Sequence, residues 1–184
     1  MTEPNDGELV RQCLHGDREA FGMLVGRHQT AIFNLALRMI RNYHEAQDIA
    51  QTVFIKAYEK LGEYDARHKF FSWIYRMAMN ESLNFVKRSR RFEGLDLEQE
   101  YPAREQTPEE NYEENEISRN VQNALMFLKA DYRALIILKH FEGLSYHELA
   151  YIFDLPEKTV KSRLFSARQI LKTVMLKQGH VANA

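Results

Sequence analysis

Residues 144–171 read LSYHELAYIFDLPEKTVKSRLFSARQIL, a pattern of two short helices joined by a tight turn. Ser145 and Glu148 form a capping box, in which each side chain satisfies the other residue's backbone amide at the start of a helix. Gly143, just before the box, suits the sharp end of a preceding helix. Pro156 suits the first turn of the next helix, where its missing amide needs no partner. The pattern predicts a helix-turn-helix.

The second of these helices has one apolar side and one polar side. At about 100° per residue, its apolar residues fall within a single narrow sector. The opposite side carries Lys158, Lys161, Ser162 and Phe165. A helix in the DNA major groove can use Lys and Ser for base edges or phosphates, and Phe for a thymine methyl group. An ordinary amphipathic helix with a solvated face has the same pattern, so the residues leave both interpretations open.

A second informative stretch, residues 70–80, reads FFSWIYRMAMN and is rich in aromatic side chains. On a helical projection its apolar face lies opposite Trp73, Arg76, Asn80 and Lys87. Aromatic, amide and basic groups on one face are typical of a surface that stacks single-stranded bases and follows their backbone. The stretch therefore predicts a surface for single-stranded nucleic acid.

Both parts of this surface also have a structural interpretation. Taken alone, Trp73 is more typical of a half-buried residue that a neighbouring helix covers. The run KRSRR at residues 87–91 includes Arg88 and adds four positive charges for phosphates. Basic residues are equally typical of a solvated helix end, where the helix dipole favours them.

Residues 48–55 read DIAQTVFI and predict a helix with a different kind of outer surface. Its small and apolar residues point toward a core, while Asp48, Gln51, Thr52 and Ile55 point away from it. An exposed Ile among acidic and amide groups suits a small protein interface, and it suits a solvated helix equally well.

The distribution of charge indicates three segments. The chain has 184 residues and a net charge of −1. Residues 1–92 carry 14 basic and 11 acidic side chains, residues 93–116 carry 1 and 10, and residues 117–184 carry 10 and 5. The middle segment has few large apolar residues and is typical of a solvated linker. A sharper hypothesis makes it a nucleic-acid mimic that follows a basic channel in a partner.

The two outer segments predict an all-α fold with two small helical domains. Apolar residues recur there at three- and four-residue spacing, and Pro is rare. Helices are predicted at 6–14, 17–41, 44–61, 69–90, 114–128, 131–140, 145–153 and 156–176.

Composition argues against several classes of protein. No stretch approaches the roughly 20 apolar residues of a membrane-spanning helix. The acidic N-terminus is unlike a signal peptide, and the single cysteine, Cys13, leaves no internal disulfide, so we expect a cytoplasmic protein. Scattered histidines, with neither a phosphate-binding loop nor a Glu-x-x-His pair, predict no catalytic residues, no metal and no cofactor.

Four segments, taken in order, resemble a bacterial sigma factor of the extracytoplasmic-function (ECF) type. They are residues 17–21, 48–54, 73–80 and 144–171. In this order they look like the start of the family's first core domain, its polymerase-binding helix, its promoter-melting helix and its helix-turn-helix.

The resemblance implies the organisation of the chain and its partners. It implies a region 2-like domain at 1–92, an acidic flexible linker at 93–116 and a region 4-like helix-turn-helix domain at 117–184. The protein would join core RNA polymerase and direct it to promoters, commonly in a stress response. An anti-sigma factor would be its regulatory partner.

The resemblance also implies roles for individual residues. Contact with the clamp helices of the largest polymerase subunit is implied for Asp48, Gln51, Thr52 and Ile55. Contact with the −10 element as it opens is implied for Trp73, Arg76, Asn80, Lys87 and Arg88, together with the loop 62–69. Contact with the −35 element is implied for Lys158, Lys161, Ser162, Phe165 and Ser166.

Two other functions stay open from the residues alone. A stand-alone helix-turn-helix regulator with a helical sensor domain would explain residues 144–171, but not the aromatic and basic face of residues 70–80. A sigma-like adaptor would bind polymerase without opening DNA.

Overall fold

The computed structural model describes residues 4–92 and 116–178, and within these ranges all regular structure is helical. The helices are α1 Asp6–Leu14, α2 Arg18–Ile40, α3 Tyr43–Glu59, α4 Phe70–Phe92, α5 Glu116–Met126, α6 Ala130–His140, α7 Tyr146–Phe153 and α8 Glu157–Lys177, with a short 3₁₀ turn at Leu61–Glu63. The predicted all-α class is confirmed, and the predicted helix ends agree within two residues. The predicted acidic linker lies outside the described residues, apart from Glu116.

Several helices begin at side chains that satisfy their free amides. The Glu8 amide donates to the Asn5 side chain over 3.0 Å, and the Asn5 amide donates to the Glu8 carboxylate over 2.8 Å. Asp17 caps α2 in a related way. The predicted box at α7 is confirmed, because the Glu148 amide donates to Ser145 Oγ over 3.2 Å and the Ser145 amide donates back over 2.8 Å. These local bonds determine where the chain enters each helix.

The N-terminal domain is organised around α2, which packs against α1, α3 and α4. Its core includes Leu24, Ile32, Leu35, Met39, Val53, Phe70 and Ile74, all fully or almost fully buried. Each large apolar side chain of this kind stabilises the fold by about 1.5–3 kcal/mol. No helix within the described ranges is long and apolar enough to cross a membrane.

The C-terminal domain is organised around α6, which α5, α7 and α8 surround. Residues 133–138 of α6 are buried on all sides. From α8, Val160, Leu164 and Ala167 are fully buried, which confirms the predicted apolar side of that helix. Gly143 has a φ of 68° in the turn before α7, a left-handed conformation that glycine adopts without steric cost.

The two domains are packed against each other. α4 contacts α6 and α7, and α2 contacts α6. Arg133 on α6 is fully buried and donates from Nε to the Leu125 carbonyl over 3.0 Å and from Nη2 to the Met126 carbonyl over 3.0 Å. Its Nη1 donates across the domain boundary to the carbonyl of Met39, near the end of α2. One guanidinium therefore joins the corner between α5 and α6 to the N-terminal domain.

Replacing this guanidinium is expected to destabilise the protein. Arg133→Leu leaves several buried carbonyls without a donor, so we expect the free energy of unfolding to fall by about 2–4 kcal/mol. The control Arg119→Leu, at an exposed position on α5, should change it by less than about 0.5 kcal/mol. Urea denaturation followed by circular dichroism measures both. Equal midpoints and slopes for Arg133→Leu and the wild type would contradict the role of Arg133.

Candidate nucleic-acid interface

The outer face of α8 is open to solvent along its first turns. Lys158, Lys161, Ser162 and Phe165 are all exposed, and Phe165 exposes 62% of its surface. Ser166 is only half-buried, at the edge of this face. The sequence-predicted division of α8 into a buried and a polar side is thus confirmed. Exposed Lys, Ser and Phe side chains on one helical face are typical of a helix that enters the major groove.

A tyrosine that the sequence analysis did not single out lies beside this face. Tyr146, in the first turn of α7, has Lys161 Nζ 5.1 Å and Lys139 Nζ 4.7 Å from its ring centre. Lys161 Nζ also lies 3.7 Å from a carboxylate oxygen of Glu157, one turn earlier on α8. These exposed contacts orient the Lys161 side chain weakly, and the Lys161 charge stays available to a phosphate. A pattern search along α8 alone does not find Tyr146, because it belongs to a different helix.

The residues predicted on the outer face of α4 fall into two groups. Asn80, Lys87 and Arg88 are exposed, as predicted. Trp73 is only 8% exposed, so its prediction as a surface residue is wrong. Its ring centre lies 5.4 Å from that of Tyr64 in the preceding loop and 5.7 Å from that of Phe70. A helical projection cannot show that this loop covers the side of α4 opposite the main core.

Arg76 of α4 is half-buried and contacts the C-terminal domain. Its Nη1 donates to the Tyr151 carbonyl over 3.2 Å, and its guanidinium carbon lies 5.4 Å from the centre of the Tyr151 ring. Its Nη2 lies 3.8 Å from a carboxylate oxygen of Asp154. The structure therefore separates Arg76 from the exposed group of Asn80, Lys87 and Arg88.

The loop before α4 carries charged and aromatic groups next to this helix. The Tyr64 hydroxyl donates to the His68 carbonyl over 2.5 Å, which closes the loop. Hydrogen bonds from the exposed Arg67 guanidinium lower the pKa of Asp65 to about 2. Lys69 Nζ donates to the Glu148 carboxylate over 3.0 Å. The loop thus places two cations, Arg67 and Lys69, each paired with a carboxylate, just before α4.

The predicted polymerase-binding face of α3 is exposed at Asp48, Gln51 and Ile55 and half-buried at Thr52. Ile55 exposes 53% of its surface. Gln51 and Ile55 also line a groove of about 1110 Å³ between α2 and α3. The apolar lining of this groove includes Phe21, Val25, Phe33, Leu37, Phe54 and Tyr58. An open apolar groove beside an exposed Ile is typical of a surface that binds another protein.

Across residues 4–92 and 116–178, no group of three or more His, Cys, Asp and Glu side chains could hold a metal ion.

Comparison with known proteins places both domains in one family. Residues 24–92 match sigma-70 region 2, and residues 118–171 match sigma-70 region 4. The RNA polymerase sigma-H factor of Pseudomonas aeruginosa is 35% identical over 181 residues, which cover 93% of this chain and 94% of the relative. The ECF RNA polymerase sigma factor SigW of Bacillus subtilis is 32% identical, with 89% and 92% covered. The ECF sigma-E factor of Escherichia coli is 34% identical, with 90% and 92% covered.

The chain belongs to the ECF sigma factors.

Solved structures agree with this assignment. The structure of CnrH in complex with the cytosolic domain of CnrY superposes with a TM-score of 0.69 at 25% identity, covering 91% of this chain and 94% of CnrH. The sigma factor RpoE of Bartonella quintana, solved with the anti-sigma factor NepR, has the same fold, with a TM-score of 0.68 at 23% identity and coverage of 84% and 96%.

Family membership argues against the stand-alone regulator. This sigma factor has a region 2 match where a stand-alone regulator would have a sensor domain, so that alternative is not favoured. The region 2 match contains the faces of α3 and α4, and the region 4 match contains the face of α8. The chain is a sigma factor that directs promoter-specific transcription.

The burial of Trp73 predicts a stability effect that a surface residue would not have. Trp73→Ala removes an indole packed against Tyr64 and Phe70, so we expect the free energy of unfolding to fall by about 3–5 kcal/mol. Asn80→Ala, at an exposed position two turns further along α4, should change it by less than about 0.5 kcal/mol. Guanidinium denaturation of both variants is the measurement. Wild-type stability for Trp73→Ala would show that the loop does not cover the indole.

Proposed function

We propose that this sigma factor binds core RNA polymerase, recognises −35 DNA with its C-terminal domain and opens −10 DNA with its N-terminal domain. The observation that carries the proposal is the open polar face of α8 in a region 4 match, combined with the exposed amide and basic face of α4 in a region 2 match. The chain itself performs no catalytic step in this scheme. Its place of action would be the cytoplasm, where polymerase and promoter DNA are found.

The −35 contact is proposed for the exposed face of α8. Lys158 and Lys161 can reach phosphates or the acceptor groups of guanine, and Ser162 can bond to either kind of partner. Phe165 is exposed enough to pack against a thymine methyl group. Ser166, at the half-buried edge, would contact the DNA backbone.

The −10 contact is proposed for α4 and the loop before it. Asn80 can bond to the edge of an unstacked base, while Lys87 and Arg88 neutralise phosphates. Arg76 would join this contact once α7 has moved away from it. Trp73 would act indirectly, because its buried indole supports the loop through Tyr64.

The polymerase contact is proposed for the exposed face of α3. Asp48, Gln51, Thr52 and Ile55 would meet the clamp helices of the largest subunit, and the adjacent groove would widen that interface. In this proposal the N-terminal domain spans residues 1–92, the linker spans 93–116 and the C-terminal domain spans 117–184. With both domains held on polymerase, two modest DNA contacts become strong together, because the second contact is made at high effective concentration.

An anti-sigma factor is the proposed regulatory partner. CnrH was solved with the cytosolic domain of CnrY bound. In this chain, the groove between α2 and α3 offers an apolar surface with Ile55 and Tyr58 exposed beside it. A partner seated there would compete with polymerase for the same face.

Promoter opening depends on Asn80 in this proposal. Asn80→Ala should slow formation of the open complex by about tenfold, since a good amide-to-base contact provides about 1–3 kcal/mol. Its effect on closed-complex binding should be much smaller, because the −35 contact is intact. In vitro transcription with core polymerase, with permanganate footprinting of the −10 region, measures the two steps separately. Equal loss of both steps would contradict the role of Asn80 in opening. A lack of opening by the wild-type protein would favour a sigma-like adaptor that binds polymerase without opening DNA.

Recognition of the −35 element depends on Lys161. Lys161→Ala should reduce discrimination among −35 variants by about 1–3 kcal/mol. The matched control is Lys172→Ala, an exposed lysine three turns further along the same helix. Holoenzyme binding to a panel of −35 variants is the measurement. An unchanged preference across the panel would refute a base contact by Lys161.

A further inference from the structure

One face of α7 covers the part of the N-terminal domain that is proposed to bind the −10 strand. Glu148, Tyr151 and Asp154 are spaced three residues apart, so they lie along one side of the helix and its C-terminal cap. Each of them contacts α4 or the loop before it. We call these three residues the α7 face.

The contacts of the α7 face are those that a nucleotide strand would make. The Tyr151 ring stacks on His68 with ring centres 3.8 Å apart and planes 21° from parallel. Arg76 donates to the Tyr151 carbonyl, and its guanidinium carbon lies over the Tyr151 ring, 5.4 Å from the ring centre. An aromatic ring stacked on a side chain, beside an arginine, is the usual arrangement of an unpaired base on a protein.

The two carboxylates of the α7 face take the places of phosphates. Glu148 accepts from Lys69 Nζ over 3.0 Å, and Asp154 lies 3.8 Å from Arg76 Nη2. Along α7, the two carboxylates come three residues before and three residues after Tyr151. A strand with alternating bases and phosphates would need the same three partners in the same order.

We propose that the α7 face is an internal mimic of single-stranded DNA, which occupies the −10 surface of the free sigma factor and must leave before that surface can bind the promoter strand. The proposal rests on the proposed −10 function and adds its regulation. It assigns α7 a role beyond positioning α8 in the helix-turn-helix.

The remaining contacts between the domains show how such a closed state is held. The Tyr75 hydroxyl donates to Glu142 over 2.5 Å, and the Gln122 amide donates to the Arg38 carbonyl over 2.8 Å. The Arg38 guanidinium lies 4.7 Å from the centre of the Phe141 ring. These contacts keep α7 close to α4. Most of the charged pairs are partly exposed and individually weak, so binding to a large partner can break them.

The test is whether the free protein binds single-stranded DNA better when the mimic is damaged. The probe is a fluorescein-labelled oligonucleotide with the non-template −10 strand of a promoter mapped from the protein's own run-off transcripts. The double variant Tyr151→Ala/Asp154→Asn removes the ring and one charge, and Asn tolerates the left-handed backbone at position 154. In the full-length protein we expect this variant to bind the oligonucleotide about three- to tenfold more tightly than the wild type. The reason is that the −10 surface is uncovered in a larger fraction of the molecules.

Two controls separate competition from a general change in folding. Tyr151→Phe keeps the stacking ring and should bind like the wild type. In the holoenzyme, where polymerase holds the domains apart, the double variant and the wild type should bind the strand equally. A variant that merely unfolds would bind the strand no better than the wild type, and its loss of helical signal would appear in circular dichroism.

The outcomes have distinct meanings. A gain confined to the free double variant supports the mimic. Equal affinities of the free double variant and free wild type, with both folded, overturn it while leaving the proposed function intact. If an unfolded double variant prevents that comparison, the single variant Asp154→Asn replaces it, with a smaller gain expected and equal affinity again overturning the proposal. Failure of the wild-type holoenzyme to bind the strand overturns the proposed function, and the mimic with it.

Discussion

A buried charge in the C-terminal domain, the guanidinium of Arg133, lies at the point where the two halves of the molecule meet. Removing a charge from water costs several kcal/mol unless its donors are satisfied. Here the donors reach backbone carbonyls in the last turns of α5 and α2, where the negative end of the helix dipole lies. The Arg133 guanidinium therefore stabilises both the core of the C-terminal domain and its contact with the N-terminal domain. The positions of the surrounding surfaces depend on this contact.

The contact between the two domains divides α4 into a covered part and an open part. Around Phe70, Trp73 and Arg76, the helix is covered by its own preceding loop and by α7. Between Asn80 and Arg88 its outer face is open. A strand of DNA can therefore meet the later turns of α4 in the closed arrangement, while the first turns require α7 to move. In this scheme, binding to polymerase both positions the two domains and uncovers the rest of the −10 surface.

Burial also affects the groups that hold the domains together. Desolvation, reinforced by the hydrogen bond to Glu142, raises the pKa of Tyr75, so its phenol stays protonated and can donate. The interface thus combines the buried Arg133 guanidinium and two neutral donors, the Tyr75 hydroxyl and the Gln122 amide, with partly exposed ion pairs. The exposed ion pairs are individually weak, so they contribute more to geometry than to strength.

Much of the fold followed from short-range patterns. The Ser145–Glu148 box, the glycine turn at 143 and the two faces of α8 each depend on residues within a few positions of one another, and all are present in the structure. The exposed positions on α3 were also predictable from helical periodicity within a few residues. The groove between α2 and α3 did not, because its walls come from these two helices and Gln122 of α5, whose relative positions no local pattern specifies.

Local sequence was sufficient for the helices, their caps and the division of each helix into an apolar and a polar side, because backbone hydrogen bonds and helical periodicity act over three or four residues. Tertiary structure alone decided which polar sides stay open. Trp73 is buried because a loop folds back over it, and Lys69 is paired because Glu148, 79 residues later, is brought beside it. Such contacts depend on how separate helices pack, and that packing is determined by the whole core rather than by any one stretch of the chain.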